Sequence, residues 1–186
     1  MRVVGGKAKG QRLKGAVAPG ARPTTERVRA AIFNILQGEL DQPERVLDLF
    51  AGTGSLGIEA LSRGAGWADF VERDRRQCQV IQSNLETTGF TASARVYCTD
   101  VDRSLATLPG PYELVLLDPP YRMLDLDEVL ERIGATPRLI VGGGHVVAGH
   151  SKHLSLSPQY GFLSLVSHRR YGDNVVDLYQ RENGEW

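Results

Sequence analysis

The chain has 186 residues, of which 41% are hydrophobic and 24% are charged, with 22 basic and 22 acidic side chains. This balance is that of one globular domain with a substantial core, and it argues against a disordered chain. No apolar run approaches the roughly eighteen residues that a membrane-spanning helix needs, and the start lacks the apolar segment of a signal peptide, so we expect a cytoplasmic protein.

Basic charge is concentrated at the start of the chain. Residues 1–30 contain eight basic side chains and a single acidic one, Glu26, so the remaining residues are acidic on balance. A basic segment on an acidic body is typical of proteins that contact nucleic-acid phosphates, and it is equally the composition of a solvated terminus. Glycines interrupt the alternating apolar and basic pieces of residues 1–20, which predicts a small β-hairpin appended to a main domain of residues 21–186.

Strands and helices alternate through the main domain. The stretch RPTTERVRAAIFNILQGEL is a predicted helix with Thr24 or Thr25 as its N-cap. The segments RVLDLF, ADFVE, ARVYCTD and ELVLLD are predicted strands, and SLGIEALSRG, DRRQCQVIQSNLETTG and LDLDEVLERIG are predicted helices. This alternation predicts right-handed βαβ units in a Rossmann-like α/β fold, with a mostly parallel sheet and helices on both faces.

Three further strands complete a predicted sheet of seven. GHVVAGH is the first of them, and FLSLVSH and NVVDLYQ are the last two. Only a few residues around RRYGD separate these last two strands, which is too short for a helical crossover, so we expect antiparallel neighbours. Cys78 and Cys98 fall in a predicted helix and a predicted strand, where reduced, structural cysteines are expected. The four histidines have no spacing typical of a metal site.

A glycine-rich loop follows the first predicted strand. In LDLFAGTGSLGIEAL, Gly52, Gly54 and Gly57 match the G-x-G-x-x-G pattern, with a strand before it and a helix after it. Such glycines let the backbone approach a ligand closely, and the helix start offers unpaired N–H groups. Glu72 ends the next strand about twenty residues later, where a carboxylate accepts hydrogen bonds from ribose hydroxyls. These features alone fit a nicotinamide enzyme as well as other nucleoside-binding proteins.

Two further carboxylates favour a cationic nucleoside as the ligand. Asp48 lies just before the glycine loop, where a bound pyrophosphate would disfavour it, and Asp100 ends the third strand. Carboxylates at three successive strand ends suit a nucleoside that carries a positive charge and no phosphate, and S-adenosylmethionine is such a molecule. A solvated strand end or a helix cap is the alternative for each acidic residue taken alone.

The fourth strand ends in Asp118, Pro119, Pro120 and Tyr121. The prolines hold the backbone extended and remove two N–H donors, so this segment presents acceptors at the topological switch point of the sheet. A fitting guest is the exocyclic amine of a base, with Tyr121 stacked on the ring. A carboxylate matches the adjacent N1–H and N2–H donors of guanine better than the mixed edge of adenine. A rigid turn with a tyrosine plug is the purely structural alternative.

Taken together, the motifs resemble the bacterial 16S ribosomal RNA guanine-N2 methyltransferases of the D type. The resemblance rests on MRVVGGKAKGQRL, RPTTERVRAAIFN, VLDLFAGTGSLGIEALSRGA, FVERD, LLDPPY and YGDN, and it extends to about residue 179. It implies a seven-stranded class I methyltransferase fold, S-adenosylmethionine as donor with S-adenosylhomocysteine as product, and guanine N2 as acceptor. It also implies 16S ribosomal RNA in an assembled small-subunit particle as partner, without a membrane or a metal, and we expect a monomer.

Three sets of site residues follow from the motifs and the resemblance. The catalytic set is Asp118, Pro119, Pro120 and Tyr121. The cofactor set is Thr24, Asp48, Ala51, Gly52, Thr53, Gly54, Glu72, Arg73, Asp100 and Val101. The RNA-contact set is Arg2, Lys7, Lys9, Arg12, Lys14, Arg22, Arg27, Arg29, Arg169 and Arg170, the last two in the turn of the final hairpin.

Four alternative functions are weighed against the same residues: methylation of DNA, methylation of another RNA or a protein, oxidoreduction, and RNA binding without catalysis. Amino-methyltransferases of DNA adenine share the Asp-Pro-Pro-Tyr motif, and another RNA or a protein amide is a further alternative acceptor. The chain has no room for the sequence-reading module that such DNA enzymes usually need, which favours recognition of RNA shape. A nicotinamide oxidoreductase gives no reason for Asp48 or the proline pair. A non-catalytic RNA-binding protein would tolerate the loss of Asp118.

Overall fold

The structure, a computed structural model, describes residues 1–16, 24–123 and 125–184. In these ranges one sheet of eight strands has α-helices packed on both faces. The strands are β1 (Arg45–Leu49), β2 (Trp67–Glu72), β3 (Ala94–Cys98), β4 (Tyr112–Leu117), β5 (Ile140–Ser151), β6 (Gln159–Tyr160), β7 (Leu163–Tyr171) and β8 (Asn174–Arg181). The helices are α1 (Glu26–Leu36), α2 (Ser55–Ser62), α3 (Arg75–Thr88), α4 (Val101–Thr107) and α5 (Leu126–Gly134), with a 3-10 turn at Thr91–Ser93.

The strand order is β3-β2-β1-β4-β5-β8-β7-β6. Strands β1 to β5 are parallel, whereas β8, β7 and β6 each run antiparallel to the strand before them in this order. Because β1 pairs with β4 and the winding reverses between them, a crevice opens at the carboxyl ends of these two strands. The predicted α/β architecture and the antiparallel pair β7 and β8 are confirmed.

The elements of the sheet and its connections differ from the sequence-based expectation in several places. The structure has an eighth strand, β6, which is too short at two residues to produce an alternating pattern. It also has a short helix, α4, between β3 and β4, which the sequence pattern did not indicate. Finally, Arg169 and Arg170 belong to β7 and pair with β8, so they are strand residues and not turn residues.

Two apolar layers lie on opposite faces of the sheet. Helices α1, α2 and α3 cover one face, and α4 and α5 cover the other. Helix ends follow local sequence signals: Thr25 is the N-cap of α1 and accepts a hydrogen bond from the Val28 N–H at 3.2 Å, and Gly89 ends α3 in a left-handed conformation. Across the residues that the structure describes, no helix has the length and apolar character needed to span a membrane.

The N-terminal segment, residues 1–16, packs onto the face that carries α1 to α3. Val3, Ala8 and Leu13 are buried in the same apolar cluster as these helices. A single antiparallel bridge joins Arg2 to Arg12, so the predicted hairpin is reduced to one bridge and the turn that closes it.

Glu59 on α2 fixes this segment through hydrogen bonds to its buried carboxylate. Its carboxylate oxygens accept from the N–H groups of Val4 at 2.9 Å and Gly5 at 2.8 Å, and it pairs with Arg63 at 2.9 Å. Arg29 lies 3.7 Å from the same carboxylate, and both side chains are fully buried. Arg29 also donates to the carbonyl of Arg2. Burial lowers the pKa of Arg29, and the charge of Glu59 opposes that shift.

The prediction that Arg29 contacts RNA is therefore wrong. Its guanidinium has no solvent exposure and serves to hold the N-terminal segment against α1 and α2. Its neighbour Arg27, on the exposed side of α1, remains available for such a contact.

Replacing Glu59 with glutamine is expected to destabilise the fold strongly. The variant leaves the buried Arg29 without its counter-charge, and the loss of one partner of a buried ion pair costs about 3–5 kcal/mol. Urea unfolding followed by circular dichroism measures the change. Glu86→Gln, on the exposed side of α3, is the matched control. Equal unfolding free energies for the two variants would contradict a stabilising role for Glu59.

Candidate active site

Carboxylates from adjacent parallel strands meet at the carboxyl edge of the sheet. Asp48 lies near the end of β1, Glu72 ends β2, and Asp118 directly follows β4. Asp48 is 1% exposed, and burial is the main cause that raises its pKa well above the ordinary range. The negative charges of Asp118 and Glu72 raise that pKa further, so the three carboxylates form one electrostatic unit.

Asp48 also holds the glycine loop in place. Its Oδ2 accepts a hydrogen bond from the Gly57 N–H at 2.9 Å, in the first turn of α2. A Cβ at Gly57 would lie 2.4 Å from the ring of Phe70, so only glycine allows α2 to approach the sheet this closely. Phe50, at the end of β1, has a φ of 56°, an uncommon left-handed conformation at the turn into the loop.

Glu72 connects the glycine loop to the second strand. One of its oxygens accepts from the Gly52 N–H at 2.9 Å, and the other accepts from the Asp74 N–H at 2.9 Å. The side chain is half-buried, so it remains accessible from the crevice. Thr53 and Asn84 tie the same loop to the N-terminal segment, because Asn84 donates to the Thr53 carbonyl at 2.9 Å and accepts from the Lys14 N–H at 2.7 Å.

The remaining predicted cofactor residues take different positions. Asp100 lies two residues beyond β3, is exposed, and caps α4 by accepting from the Arg103 N–H at 2.8 Å. Val101 is buried in the first turn of that helix, and Arg73 is exposed beside Glu72. Thr24 donates from its hydroxyl to the Asp118 carboxylate, so it contacts the predicted catalytic residue directly.

Asp118 lies in a cleft that opens to solvent. Pro119, Pro120 and Tyr121 line the same cleft, so the predicted catalytic set is assembled there together with Thr24, which lies just before α1. Gly149 on β5 faces Asp118, since a Cβ at this glycine would lie 2.7 Å from Oδ1. Thr24 therefore holds the carboxylate through its hydroxyl, and Gly149, which lacks a side chain, leaves room for Oδ1, roles that the sequence pattern did not indicate.

A second group missed by the sequence analysis lies beside the Pro-Pro segment. His150 on β5 is buried, and it lines the cleft of Asp118 as well as a second cleft beside Tyr121. Its Nε2 lies 2.7 Å from Asp177 and its Nδ1 lies 2.9 Å from the Ser151 carbonyl. Asp177, on β8, also binds His168 at 2.5 Å. No local sequence signal joins these residues, because they meet only through the pairing of β5, β7 and β8.

Both ring nitrogens of His150 face acceptors, which favours the protonated imidazolium. Burial by itself lowers the pKa of His150, but the hydrogen bonds to Asp177 and the Ser151 carbonyl and the charges of Asp177 and Asp127 outweigh burial, and the pKa is raised. A histidine whose pKa is higher in the folded state stabilises the fold below its ordinary pKa of about 6.5, and this contribution disappears as pH rises through the raised value.

Replacing His150 with glutamine is therefore expected to remove a pH-dependent part of the stability. As pH rises above about 6.5, the wild-type unfolding free energy should decline by more than that of His150→Gln, as measured by urea unfolding at several pH values. The same substitution at an exposed histidine, His153→Gln, is the matched control. If the unfolding free energies of wild type and His150→Gln changed equally with pH, the raised pKa of His150 would be contradicted.

The predicted RNA contacts are mostly on the surface. Exposed members of the set are Arg2, Lys7, Lys9, Arg12, Lys14, Arg27, Arg169 and Arg170. Arg22 lies outside the described residues.

Solved structures share this fold. A hypothetical protein of Thermus thermophilus is 34% identical, with a TM-score of 0.83 over 96% of this chain and 98% of that chain. An RNA methyltransferase of Salinibacter ruber, solved in complex with S-adenosyl-L-homocysteine, is 15% identical, with a TM-score of 0.68 over 88% of this chain and 96% of that chain. At 15% identity, the comparison with the Salinibacter ruber protein shows a shared fold and nothing more specific.

Sequence relatives carry more specific names. The ribosomal RNA small subunit methyltransferase D of Escherichia coli (strain K12) is 40% identical over 130 residues, which cover 70% of this chain and 65% of that protein. YlbH of Bacillus subtilis (strain 168), provisionally named an rRNA methyltransferase, is 38% identical over 97% of this chain and 99% of that protein. A family model described as Conserved hypothetical protein 95 matches residues 1–180. The chain therefore belongs to this family, that of the D-type ribosomal RNA small subunit methyltransferases, as the motif resemblance predicts.

Proposed function

We propose that the protein transfers a methyl group from S-adenosylmethionine to the exocyclic N2 amine of a guanine in 16S ribosomal RNA, on an assembled small-subunit particle, and releases S-adenosylhomocysteine. The observation that carries this proposal is the position of Asp118, held at the switch point of the sheet beside two further carboxylates and a glycine loop. Membership in the D-type family supports the same reaction.

The carboxyl edge of the sheet fits a cationic nucleoside. Asp48 and Glu72 bring negative charge to the glycine loop, and the raised pKa of Asp48 reflects burial and crowding that a bound cation would relieve. Gly52, where an added Cβ would meet only the Phe50 carbonyl at 3.9 Å, would contact the ligand together with Ala51, Thr53 and Gly54. The half-buried Glu72, with Arg73 beside it, would hold the ribose, and Asp100 and Val101 would border the adenine. When bound, S-adenosylmethionine supplies a methyl group activated by its sulfonium.

The acceptor base would enter the cleft at Asp118. A base inside a folded RNA must first be turned out of its stack, at a cost of a few kcal/mol. The side chain of Tyr121 and the exposed ring of Pro120 border the cleft and would contact its flat face. Asp118 and the Pro119 carbonyl would accept hydrogens from the exocyclic amine, which favours the pyramidal nitrogen that develops in the transition state. A carboxylate acts only as an acceptor, which suits the two adjacent donors of guanine.

The N-terminal segment would bring RNA to this cleft. Its exposed basic residues include Lys7, Lys9 and Lys14, and the segment is tied to the glycine loop through Asn84. We propose that residues 1–20 form a basic appendage to the methyltransferase domain of residues 21–186, and that the protein acts as a cytoplasmic monomer. Arg169 and Arg170 on β7 are proposed as a second phosphate contact.

Methyl transfer to small ribosomal subunits that lack the modification tests the reaction. Radiolabelled S-adenosylmethionine should give label in N2-methylguanosine after nuclease digestion, and Asp118→Ala should reduce the rate by at least about a hundredfold because the amine loses its acceptor. Unchanged binding of S-adenosylhomocysteine is the control for folding. Label in N6-methyladenosine, in DNA or in a protein would redirect the assignment to an alternative acceptor, and transfer unaffected by Asp118→Ala would contradict the catalytic role.

Gly149→Ala is expected to impair catalysis by displacing the Asp118 carboxylate. The added Cβ would lie 2.7 Å from Oδ1, and a misplacement of about 1 Å in a catalytic group can cost about a hundredfold in rate. The measurement is the turnover number on small subunits, with the KM for S-adenosylmethionine unchanged. Gly142→Ala on the same strand is the matched control, because its Cβ meets only Asn183 at 3.4 Å. Wild-type turnover in Gly149→Ala would exclude this positioning role.

A further inference from the structure

The two cysteines of the chain lie together beside the carboxyl edge of the sheet. Cys78 is in the first turn of α3 and Cys98 ends β3, and both line one surface groove. Although the residues are twenty positions apart in sequence, Cys98 is the neighbour that, after burial, most raises the pKa of the Cys78 thiol. Cys98 is exposed, whereas Cys78 is 7% exposed. Both cysteines are free thiols, as the sequence predicts, and the fold brings a buried thiol and an accessible one to the same groove.

This thiol pair is joined to the backbone of Glu72. Cys78 donates from Sγ to the Glu72 carbonyl at 3.2 Å, and the Thr99 N–H donates to the same carbonyl at 3.0 Å. Cys98 is the direct neighbour of Glu72 in the pairing of β2 with β3. The side chain of Glu72 in turn holds the Gly52 N–H. A chemical change at the Cys78 sulfur would therefore act directly on the backbone of Glu72, the proposed ribose ligand.

We propose that Cys78 and Cys98 are a site of oxidative modification, at which a small-molecule disulfide converts the thiol pair into an intramolecular disulfide that weakens cofactor binding. The weakening of cofactor binding rests on the proposed function, whereas the formation of the disulfide does not. The reagent class is a dialkyl disulfide such as oxidised glutathione.

The thiol–disulfide exchange proceeds in two steps. The Cys98 thiolate attacks one sulfur of the reagent, forms a mixed disulfide and releases one thiolate. The Cys78 sulfur then attacks the Cys98 sulfur, forms the Cys78–Cys98 bond and releases the second thiolate. The two protein thiols lose two protons and two electrons, and the reagent is reduced to two thiols.

The surroundings set the order of these steps. Burial is the largest of the causes that raise the pKa of Cys78 to about 12, and the contact with Cys98 and the charges of Glu72 and Asp74 add to it. Cys78 is therefore a poor first nucleophile, whereas Cys98 is open to the reagent. Once the mixed disulfide forms, Cys78 attacks from within the same molecule, and this proximity compensates for its low acidity.

The disulfide would disturb the end of β2. A disulfide sulfur has no S–H to donate, so the Glu72 carbonyl loses its bond from Cys78. The new bond also draws α3 toward β3 at the point where Glu72 and Asp74 are joined. We expect the affinity for S-adenosylhomocysteine to fall by a factor between about 5 and about 100, and cofactor binding should slow disulfide formation correspondingly, because such coupling is reciprocal.

Mass spectrometry of the full chain after incubation with oxidised glutathione tests the site. The expected product is the intact chain lighter by two hydrogens, with neither cysteine alkylated afterwards, and the same conversion blocked in Cys78→Ser and Cys98→Ser. Cys98→Ala, at the exposed position, repeats the control in case a serine variant folds poorly. A stable mixed glutathione adduct on wild type, or a disulfide only between two chains, would overturn the intramolecular pair.

Calorimetric titration with S-adenosylhomocysteine tests the coupling in the same samples. Weaker binding by the oxidised chain, restored by dithiothreitol and absent in Cys98→Ala, supports it. Equal affinity of oxidised and reduced protein would overturn the coupling while leaving the disulfide established. Failure of both forms to bind would count against the proposed function and the coupling together, and the mass measurement would still decide the disulfide.

Discussion

The hydrogen bond from the Gly57 N–H to Asp48 is the interaction on which the rest of the site depends. It joins the end of β1 to the first turn of α2 and thereby fixes the glycine loop between them. The same helix carries Glu59, whose buried carboxylate holds the N-terminal segment. The loop that faces the proposed cofactor and the segment that carries the exposed lysines are therefore attached to one rigid helix.

The concentration of carboxylates at this edge is unfavourable by itself. Burial raises the pKa of Asp48 well above its ordinary range, and the negative charges of Asp118 and Glu72 raise it further. Hydrogen bonds from the backbone N–H groups of Gly52, Gly57 and Asp74 offset part of this repulsion. The folded chain thus holds excess negative charge where a positively charged ligand would stabilise it, a typical compromise between stability and function.

Local patterns in the sequence were sufficient for the parallel strands, the longer helices and the glycine loop, because these elements carry their own periodicity and caps. They were insufficient for β6 and α4, which are too short to produce a period. They also placed Arg29 on the surface, because a charged residue next to a basic cluster gives no local sign of a buried partner on α2.

The contacts around Asp118 illustrate a more general limit. Thr24, Gly149, His150 and Asp177 come from the start of α1 and from β5 and β8, and they meet only when the sheet is assembled. Sequence motifs identified Asp118, the proposed catalytic carboxylate, whereas the residues around it are brought there by long-range strand pairing. The same holds for Cys78 and Cys98, whose proximity follows from the packing of α3 on β3.

The outer edge of the sheet has a consequence for the behaviour of the protein at high concentration. Strand β6 covers only the start of β7, and the register of β7 against β8 shifts between Leu165 and Ser167, where Val166 is 49% exposed. A bulge and charged side chains on an edge strand hinder pairing with the edge of another molecule. The irregular pairing around Val166, followed by Arg169 and Arg170, therefore protects this open edge against edge-to-edge aggregation.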